Sequence, residues 1–299
     1  MERQRIGFVG LGAMGGPMAA NLLRKGFAVR GCDLSPQARA DFAAAGGEAV
    51  AEPAAAAEGA ALLLLAVATA EQARSVLDAA LPVLPAGSTV VLHATVPPDF
   101  ARSLGAALAE SGHPFLDAPI SGGRRKAEAG ELVIMASGSE AAFAAAQPAL
   151  EAMAAKIYRL GAEPGIASTV KMINQHLAGV HIAAACEAMA LGVRAGADAS
   201  VLYEVISQSA GNSWMFTNRV PHILARDFTP LSAVEIFVKD LGIVLDAGRG
   251  LRFPLPIAAA AHQLFLAAAA AGLGREDDSA VVKVYERLAG IVVEGRSTG

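Results

Sequence analysis

The sequence holds only two cysteines, Cys32 and Cys186, far apart and without metal-ligand spacing. That excludes a disulfide framework and a thiolate metal site, and both are expected to be buried, reduced thiols of a cytoplasmic protein. His, Cys, Asp and Glu form no cluster at ligand spacing, so no metal is expected. Cationic excess is missing too: 24 Lys and Arg against 28 Asp and Glu give a formal charge of −4. Binding nucleic acid would then need a local basic patch. Arg124, Arg125 and Lys126 are the only candidate, three cations in one expected loop, read as a solvated turn or a small-anion site. Long apolar runs are absent as well. The longest, Ala60 to Ala68, stops far short of the ~20 residues that span a bilayer. The alanine-rich stretch from Ile257 to Ala271 is broken by His262 and Gln263. Met1 to Arg5 lead straight into a strand-like run, so neither an export segment nor a membrane anchor is expected.

What is present is apolar and rich in glycine: 54% hydrophobic residues and 31 glycines in 299, a length that allows two domains, each with its own core. The first half alternates short aliphatic runs with alanine-rich helical stretches, the pattern of a parallel sheet covered by helices. Strands are expected near Ile6–Val9, Val29–Cys32, Leu62–Val67, Thr89–His93, Phe115–Asp117, Leu132–Ala136 and Ile157–Arg159. Helices fall between them near Met14–Lys25, Pro36–Ala45, Glu71–Leu81, Asp99–Glu110 and Glu140–Ala154, giving βαβ order throughout. Gly161, Pro164 and Gly165 mark the boundary, with an α/β domain over 1–164 and an all-helical domain over 165–299. A helical pattern from Ile166 to Ala195 runs without proline, a rod of roughly 45 Å that suits an interdomain spine. Further helices are expected near Ala199–Ser209, Leu231–Arg249, Leu255–Ala271 and Ser279–Val293, and the polar tail over 294–299 is expected to fray.

Directly after the first strand comes Gly10-Leu11-Gly12-Ala13-Met14-Gly15, and Asp33 closes the second strand. This is the spacing of a Rossmann dinucleotide site. Gly10 permits the tight turn, Gly12 removes a side chain where pyrophosphate approaches, and Gly15 lets the helix pack on the sheet. The anion would rest on unpaired amides at the helix N-terminus. A carboxylate at Asp33 accepts hydrogen bonds from ribose hydroxyls and repels a 2′-phosphate, which selects NAD over NADP.

Four ordered motifs then make the chain resemble the β-hydroxyacid dehydrogenase family, whose members act on 3-hydroxyisobutyrate or tartronate semialdehyde. They are the opening run from Ile6 to Leu22, Asp117-Ala118-Pro119-Ile120-Ser121-Gly122-Gly123, Lys171-Met172-Ile173-Asn174-Gln175, and Phe237-Val238-Lys239-Asp240-Leu241-Gly242. A narrower likeness, to members that oxidise L-threonate, runs through Gly165 to Ala184, Ala210 to Phe216, Phe253 to Pro256 and Glu276 to Lys283. The resemblance implies NAD-dependent oxidation of the C2 hydroxyl of L-threonate to the 2-keto acid. Reduction of tartronate semialdehyde, or chemistry on another small 3-hydroxy acid, is the nearest alternative, and a non-catalytic NAD-binding protein is another. Relatives bury the apolar faces of such helical domains by pairing, so a homodimer or homotetramer is expected.

The resemblance also implies roles for single residues. Lys171 is the catalytic acid/base. A free lysine titrates near ~10.4, so the site is expected to depress it by desolvation and nearby positive charge, with Lys239 the obvious neighbour. Gly10, Gly12, Ala13, Met14, Gly15, Asp33, Thr95 and Lys239 are the cofactor-binding set, Thr95 and Lys239 at the nicotinamide end. Ser121, Gly122, Gly123, Asn174 and Gln175 are the substrate-binding set. Freed amides of the glycine turn can hold a carboxylate, and Asn174 and Gln175 stand three and four positions beyond Lys171, on its face of a helix. Many family members carry asparagine where this chain has Gln175, and serine or aspartate where it has His93 and Ala94. Lys126 either supplies charge to an acid substrate or is solvated. His176 and His181 turn away from the face of Lys171 and are expected either to be structural or to support the residues that line the site.

Overall fold

A computed structural model describes residues 5–296, so 1–4 and, of the polar tail, 297–299 lie outside the described residues. The chain divides into two compact units, up to Lys171 and from Met172 onward.

The described residues of the first unit form nine strands: β1 Arg5–Val9, β2 Ala28–Cys32, β3 Glu48–Val50, β4 Leu62–Leu65, β5 Thr89–Leu92, β6 Phe115–Asp117, β7 Ile120–Ser121, β8 Leu132–Gly138 and β9 Ala154–Gly161. Helices α1 Gly15–Arg24, α2 Pro36–Ala44, α3 Pro53–Ala57, α4 Ala70–Ala80, α5 Pro98–Glu110, α6 Gly123–Ala129 and α7 Glu140–Met153 connect them. The parallel strands lie in the order β3-β2-β1-β4-β5-β6. Between β1 and β4 the winding reverses, and the crevice beyond their carboxyl ends is where such sheets place ligands. All four leucines of β4 are buried. Leu62 and Leu64 join Phe8, Met18 and Leu150 on one face, and Leu63 and Leu65 join Leu77, Leu92 and Leu108 on the other. Helices on both faces therefore turn an alternating strand into a continuous apolar run.

The expectation of βαβ order throughout is corrected beyond β6. Strand β8 runs antiparallel to β6 and β7, and parallel to β9. An apolar pattern of period two does not encode strand direction; the reversal is made by turn chemistry, with Gly122, Gly123 and Gly130 all at positive φ. Arg124, Arg125 and Lys126 lie not in a loop but on α6, where Arg124 pairs with Glu128 one turn on.

Helix α8 spans Ile166–Arg194 and carries the chain into the second unit. There follow α9 Ala199–Ser207, α10 Trp214–Ala225, α11 Val234–Leu251, α12 Pro256–Ala268 and α13 Val282–Ala289. No strand is found among the described residues of this unit. Its core gathers Ile182, Cys186, Met189, Phe216, Val220, Phe237, Leu241 and Phe265. Helix α10 was not expected, because Pro221 inside it reads as a breaker. Helix α13 ends short of Val293, since Gly290 adopts a left-handed cap with φ of 63°. By length and composition alone, Ile166–Arg194 and Pro256–Leu273 could reach across a bilayer. Here their apolar residues Ile182, Met189, Ala261 and Phe265 are spent on the unit's own core.

A buried ion pair staples this unit. The Arg219 guanidinium donates through Nε and Nη2 to the two Asp278 oxygens at 2.6 and 2.9 Å. Asp277 beside it accepts from the amides of Leu231 and Ser279 and the Ser279 hydroxyl. The run Glu276 to Lys283 therefore ties the segment before α11 to the start of α13.

Candidate active site

The glycine turn after β1 is shaped by what its neighbours exclude. Gly10 has φ of +97°, and a Cβ there would stand 2.4 Å from the Ala66 carbonyl oxygen at the end of β4. A Cβ on Gly15 would stand 1.8 Å from the carbonyl oxygen of Gly10. Both positions need glycine for the fold itself. Gly12 is different: nothing lies within 4 Å of where its Cβ would be. The protein leaves that space empty, as close approach of a pyrophosphate requires. Helix α1 starts at Gly15 with no side-chain cap and no acidic residue in its first turn; the Gly16 amide bonds to the Gly12 carbonyl at 3.0 Å and Pro17 carries no amide hydrogen.

Asp33 stands just past β2 and locks the same turn. Its Oδ2 accepts the Leu11 amide at 2.7 Å and its Oδ1 the Ser35 amide at 2.8 Å. A carboxylate has about four acceptor positions, so lone pairs remain for two ribose hydroxyls. Arg39 spends its Nη1 on the carbonyls of Asp33 and Leu34, at 2.7 and 3.0 Å. These features fit a bound nicotinamide dinucleotide.

Farther along the sheet's carboxyl edge, Thr95 is half-buried beyond β5. Ser121 ends β7, and Gly122 and Gly123 follow with φ of 133° and 70°, turning the chain into α6. Two residues of this edge had no assigned role. His93 is buried, with Nδ1 2.7 Å from the Ala118 carbonyl and Nε2 without a partner among the described residues. Burial holds its imidazole down at about 4, so it is neutral at pH 7. Asp117, fully buried at the end of β6, accepts the amides of Gly165 and Ser168 at 2.9 Å each through Oδ2, and the Ser168 hydroxyl at 2.8 Å through Oδ1. Burial pushes its carboxyl up from the ordinary range against those bonds and one from Ser137.

Lys171 lies in the second turn of α8 and is 6% exposed, an unusual burial for a lysine. In the second unit Gln175 is also buried, and Asn174 is half-buried. The Gln175 Nε2 donates to Asp240 Oδ2 at 2.5 Å, and its Oε1 accepts from Asn174 Nδ2 at 3.0 Å. Lys239 Nζ sits 2.6 Å from the other Asp240 oxygen. One buried carboxylate therefore fixes both the orientation of the Gln175 amide and the position of Lys239. Asp240 was quoted in its motif without a role; its signal was only its place beside Lys239.

Residues 5–161 match the NAD binding domain of 6-phosphogluconate dehydrogenase, and residues 165–285 match the domain described as NAD-binding of NADP-dependent 3-hydroxyisobutyrate dehydrogenase. The chain is 54% identical to a protein of Cupriavidus necator named L-threonate dehydrogenase, over 98% of this chain and 99% of that one. It is 48% identical to the L-threonate dehydrogenase of Escherichia coli K12, over 95% of each. Among solved structures, a Salmonella typhimurium protein described as 3-hydroxyisobutyrate dehydrogenase shares 48% identity with a TM-score of 0.89, over 94% of this chain and 99% of that one.

Proposed function

Because the chain belongs to the 3-hydroxyisobutyrate dehydrogenase-related family of nicotinamide-dependent dehydrogenases, we propose that it oxidises the C2 hydroxyl of L-threonate to the 2-keto acid with NAD. The observation that carries the substrate is likeness at 54% and 48% to proteins named for L-threonate, sustained through the helical half. The Salmonella protein, 48% identical to this chain and described by another substrate, supports a second reading, oxidation of a small 3-hydroxy acid.

In this reading the amides around Gly12 and the start of α1 hold the pyrophosphate, Ala13 and Met14 line the same turn, and Asp33 holds the ribose. The chemistry that bound NAD would supply is acceptance of the hydride from C2. Thr95 and Lys239 position the nicotinamide end. Lys171 removes the hydroxyl proton and steadies charge developing on oxygen. Ser121 and the amides of Gly122 and Gly123 hold the acid's carboxylate. Asn174 and the amide of Gln175 bind the remaining hydroxyls. Asp33 disfavours a 2′-phosphate, and the nearby Arg39 is engaged with carbonyls.

Large apolar side chains exposed on the second unit, among them Leu191, Phe253, Ile257 and Leu288, support a homodimer or homotetramer. The reading places the enzyme in the cytoplasm, where Cys32 and Cys186 stay reduced.

The test is NAD reduction by the purified enzyme with L-threonate, D-threonate, the erythronates, glycerate and 3-hydroxyisobutyrate. L-Threonate is expected to lead in kcat/KM by about tenfold or more. A lead by 3-hydroxyisobutyrate installs the second reading, and NAD binding without turnover on any acid removes the enzyme altogether. Lys171→Ala is expected to lower kcat by roughly 10³-fold or more with NAD affinity retained.

A further inference from the structure

We propose that Asp117 is a positioning residue for Lys171: its carboxylate clamps the first turn of α8 to the sheet and so sets where the amine stands one turn later. The inference rests on the reading of Lys171 as the proton-transferring group.

A helix that begins at Ile166 has Gly165 at its cap position and Ser168 as its third residue. The Thr169 amide bonds to the Gly165 carbonyl, which closes the first turn there. In an ordinary capping box, the cap side chain accepts the third residue's amide, and that residue's side chain accepts the cap amide. Gly165 has no side chain to offer. It is held to glycine by φ of +91° and by a Cβ position 2.7 Å from Arg102 Cγ. Asp117, 48 and 51 residues earlier, does both jobs at once, taking the Gly165 and Ser168 amides on a single oxygen at 2.9 Å each. Its other oxygen takes the Ser168 hydroxyl at 2.8 Å. Ser137, directly opposite Asp117 in the β6–β8 pairing, accepts the Ala167 amide at 3.0 Å. The cap, second and third amides of α8 are thus all bound to two fully buried residues of adjacent strands.

Such a clamp exceeds what helix stability needs. The helix is 29 residues long, and a surface cap would close its end as well. What the clamp adds is location. Lys171 is three residues beyond Ser168, and a side chain at that spacing moves with the turn that bears Ser168. Proton transfer is sensitive to placement: an error of about 1 Å costs on the order of 100-fold.

The experiment uses the full-length enzyme with L-threonate and NAD. Asp117→Ala is expected to lower kcat about 100-fold, with the KM for L-threonate and the Kd for NAD within about threefold of wild type. Asp117→Asn keeps one acceptor oxygen and is expected to recover about tenfold of that loss. Ser168→Ala keeps both amide bonds and is expected to lose about threefold. The deuterium isotope effect from C2-labelled L-threonate is expected to rise in Asp117→Asn as proton and hydride transfer become slower than product release. Added to Lys171→Ala, Asp117→Ala should lower kcat no further. If Asp117→Ala does not fold, Asp117→Asn and Ser168→Ala carry the test. Wild-type kcat in a folded Asp117→Asn, or losses in kcat, KM and Kd that move together, overturns the positioning role while the lysine reading stands. Full activity in Lys171→Ala overturns the lysine reading instead.

Discussion

In the sheet-bearing unit the residues proposed to hold the cofactor present mainly main-chain features. Gly10 and Gly15 matter by lacking a Cβ, Gly12 by leaving space, and even Asp33 is held by two amides. In the helical unit the site residues work through side chains: Asn174, Gln175, Asp240 and Lys239 form one relay about a carboxylate that is 2% exposed. A main-chain site needs a fixed spacing within one turn and tolerates change around it. A side-chain relay joins residues 65 apart in sequence, and it fails when any link changes length. Perturbations should therefore differ in kind: at the glycine turn they act through backbone space, and in the relay through the length and charge of a side chain.

The largest effect is expected at the staple of the helical unit. Arg219→Ala leaves the Asp278 carboxylate, 0% exposed, without its bidentate partner. Breaking a buried pair costs about 3–5 kcal/mol, to be read by urea denaturation. NAD affinity of the folded fraction should not change; a loss of affinity in step with stability would break the comparison.

In the sheet unit, His93 offers a pH-dependent counterpart. Burial lowers its pKa from 6.5 to about 4, so below 6.5 the unfolded chain binds a proton that the fold refuses. The stability it contributes is complete above ~6.5 and is lost as pH falls through about 4, some ~3 kcal/mol over the window. His93→Gln should flatten the decline in stability between pH 7 and 4 by about that amount. An identical slope in both proteins would show that the imidazole is protonated within the fold.

A contrast between two glycines sharpens the point about main-chain sites. Gly12→Val adds a side chain to open space and should weaken NAD about 100-fold, or ~2.7 kcal/mol, with Tm held within about 2 °C. Gly15→Ala drives a Cβ into the Gly10 carbonyl and should lower Tm and NAD affinity together. Equal effects on Tm would show that Gly12 serves the fold and not the pyrophosphate.

The same difference governed what the sequence revealed. The glycine turn, Asp33 and the long helix were legible, the last as Ile166 to Ala195 against the observed Ile166–Arg194, because each is a local pattern. Strand β3 is three residues long and α3 five, too short for any periodicity to register. The antiparallel course of β8 and the helix with Pro221 inside were hidden because turn geometry and tertiary packing overrode the local reading. Within the site, Gln175 could be named, but not its bond to Asp240, nor the clamp from Asp117 to Ser168; both are settled by packing between residues 65 and 51 apart.

The smallest effect is the most direct probe of the relay. Gln175→Asn installs the residue many family members carry, one methylene shorter. The shortened amide cannot hold both Asn174 and Asp240, which stand at 3.0 and 2.5 Å from its two ends. Asp240 Oδ2 then loses a charge-assisted hydrogen bond in a buried place, at about 1–3 kcal/mol of stability. Asn174 loses the contact that orients it. If these amides bind the hydroxyls of a four-carbon acid, the KM for L-threonate should rise about tenfold, or ~1.4 kcal/mol, with kcat within about threefold and NAD affinity unchanged. The KM for 3-hydroxyisobutyrate, which has one hydroxyl to bind, should move less. Unchanged threonate kinetics would confine Gln175 to packing, and an equal rise for both acids would move its contribution from the hydroxyls to a part the substrates share.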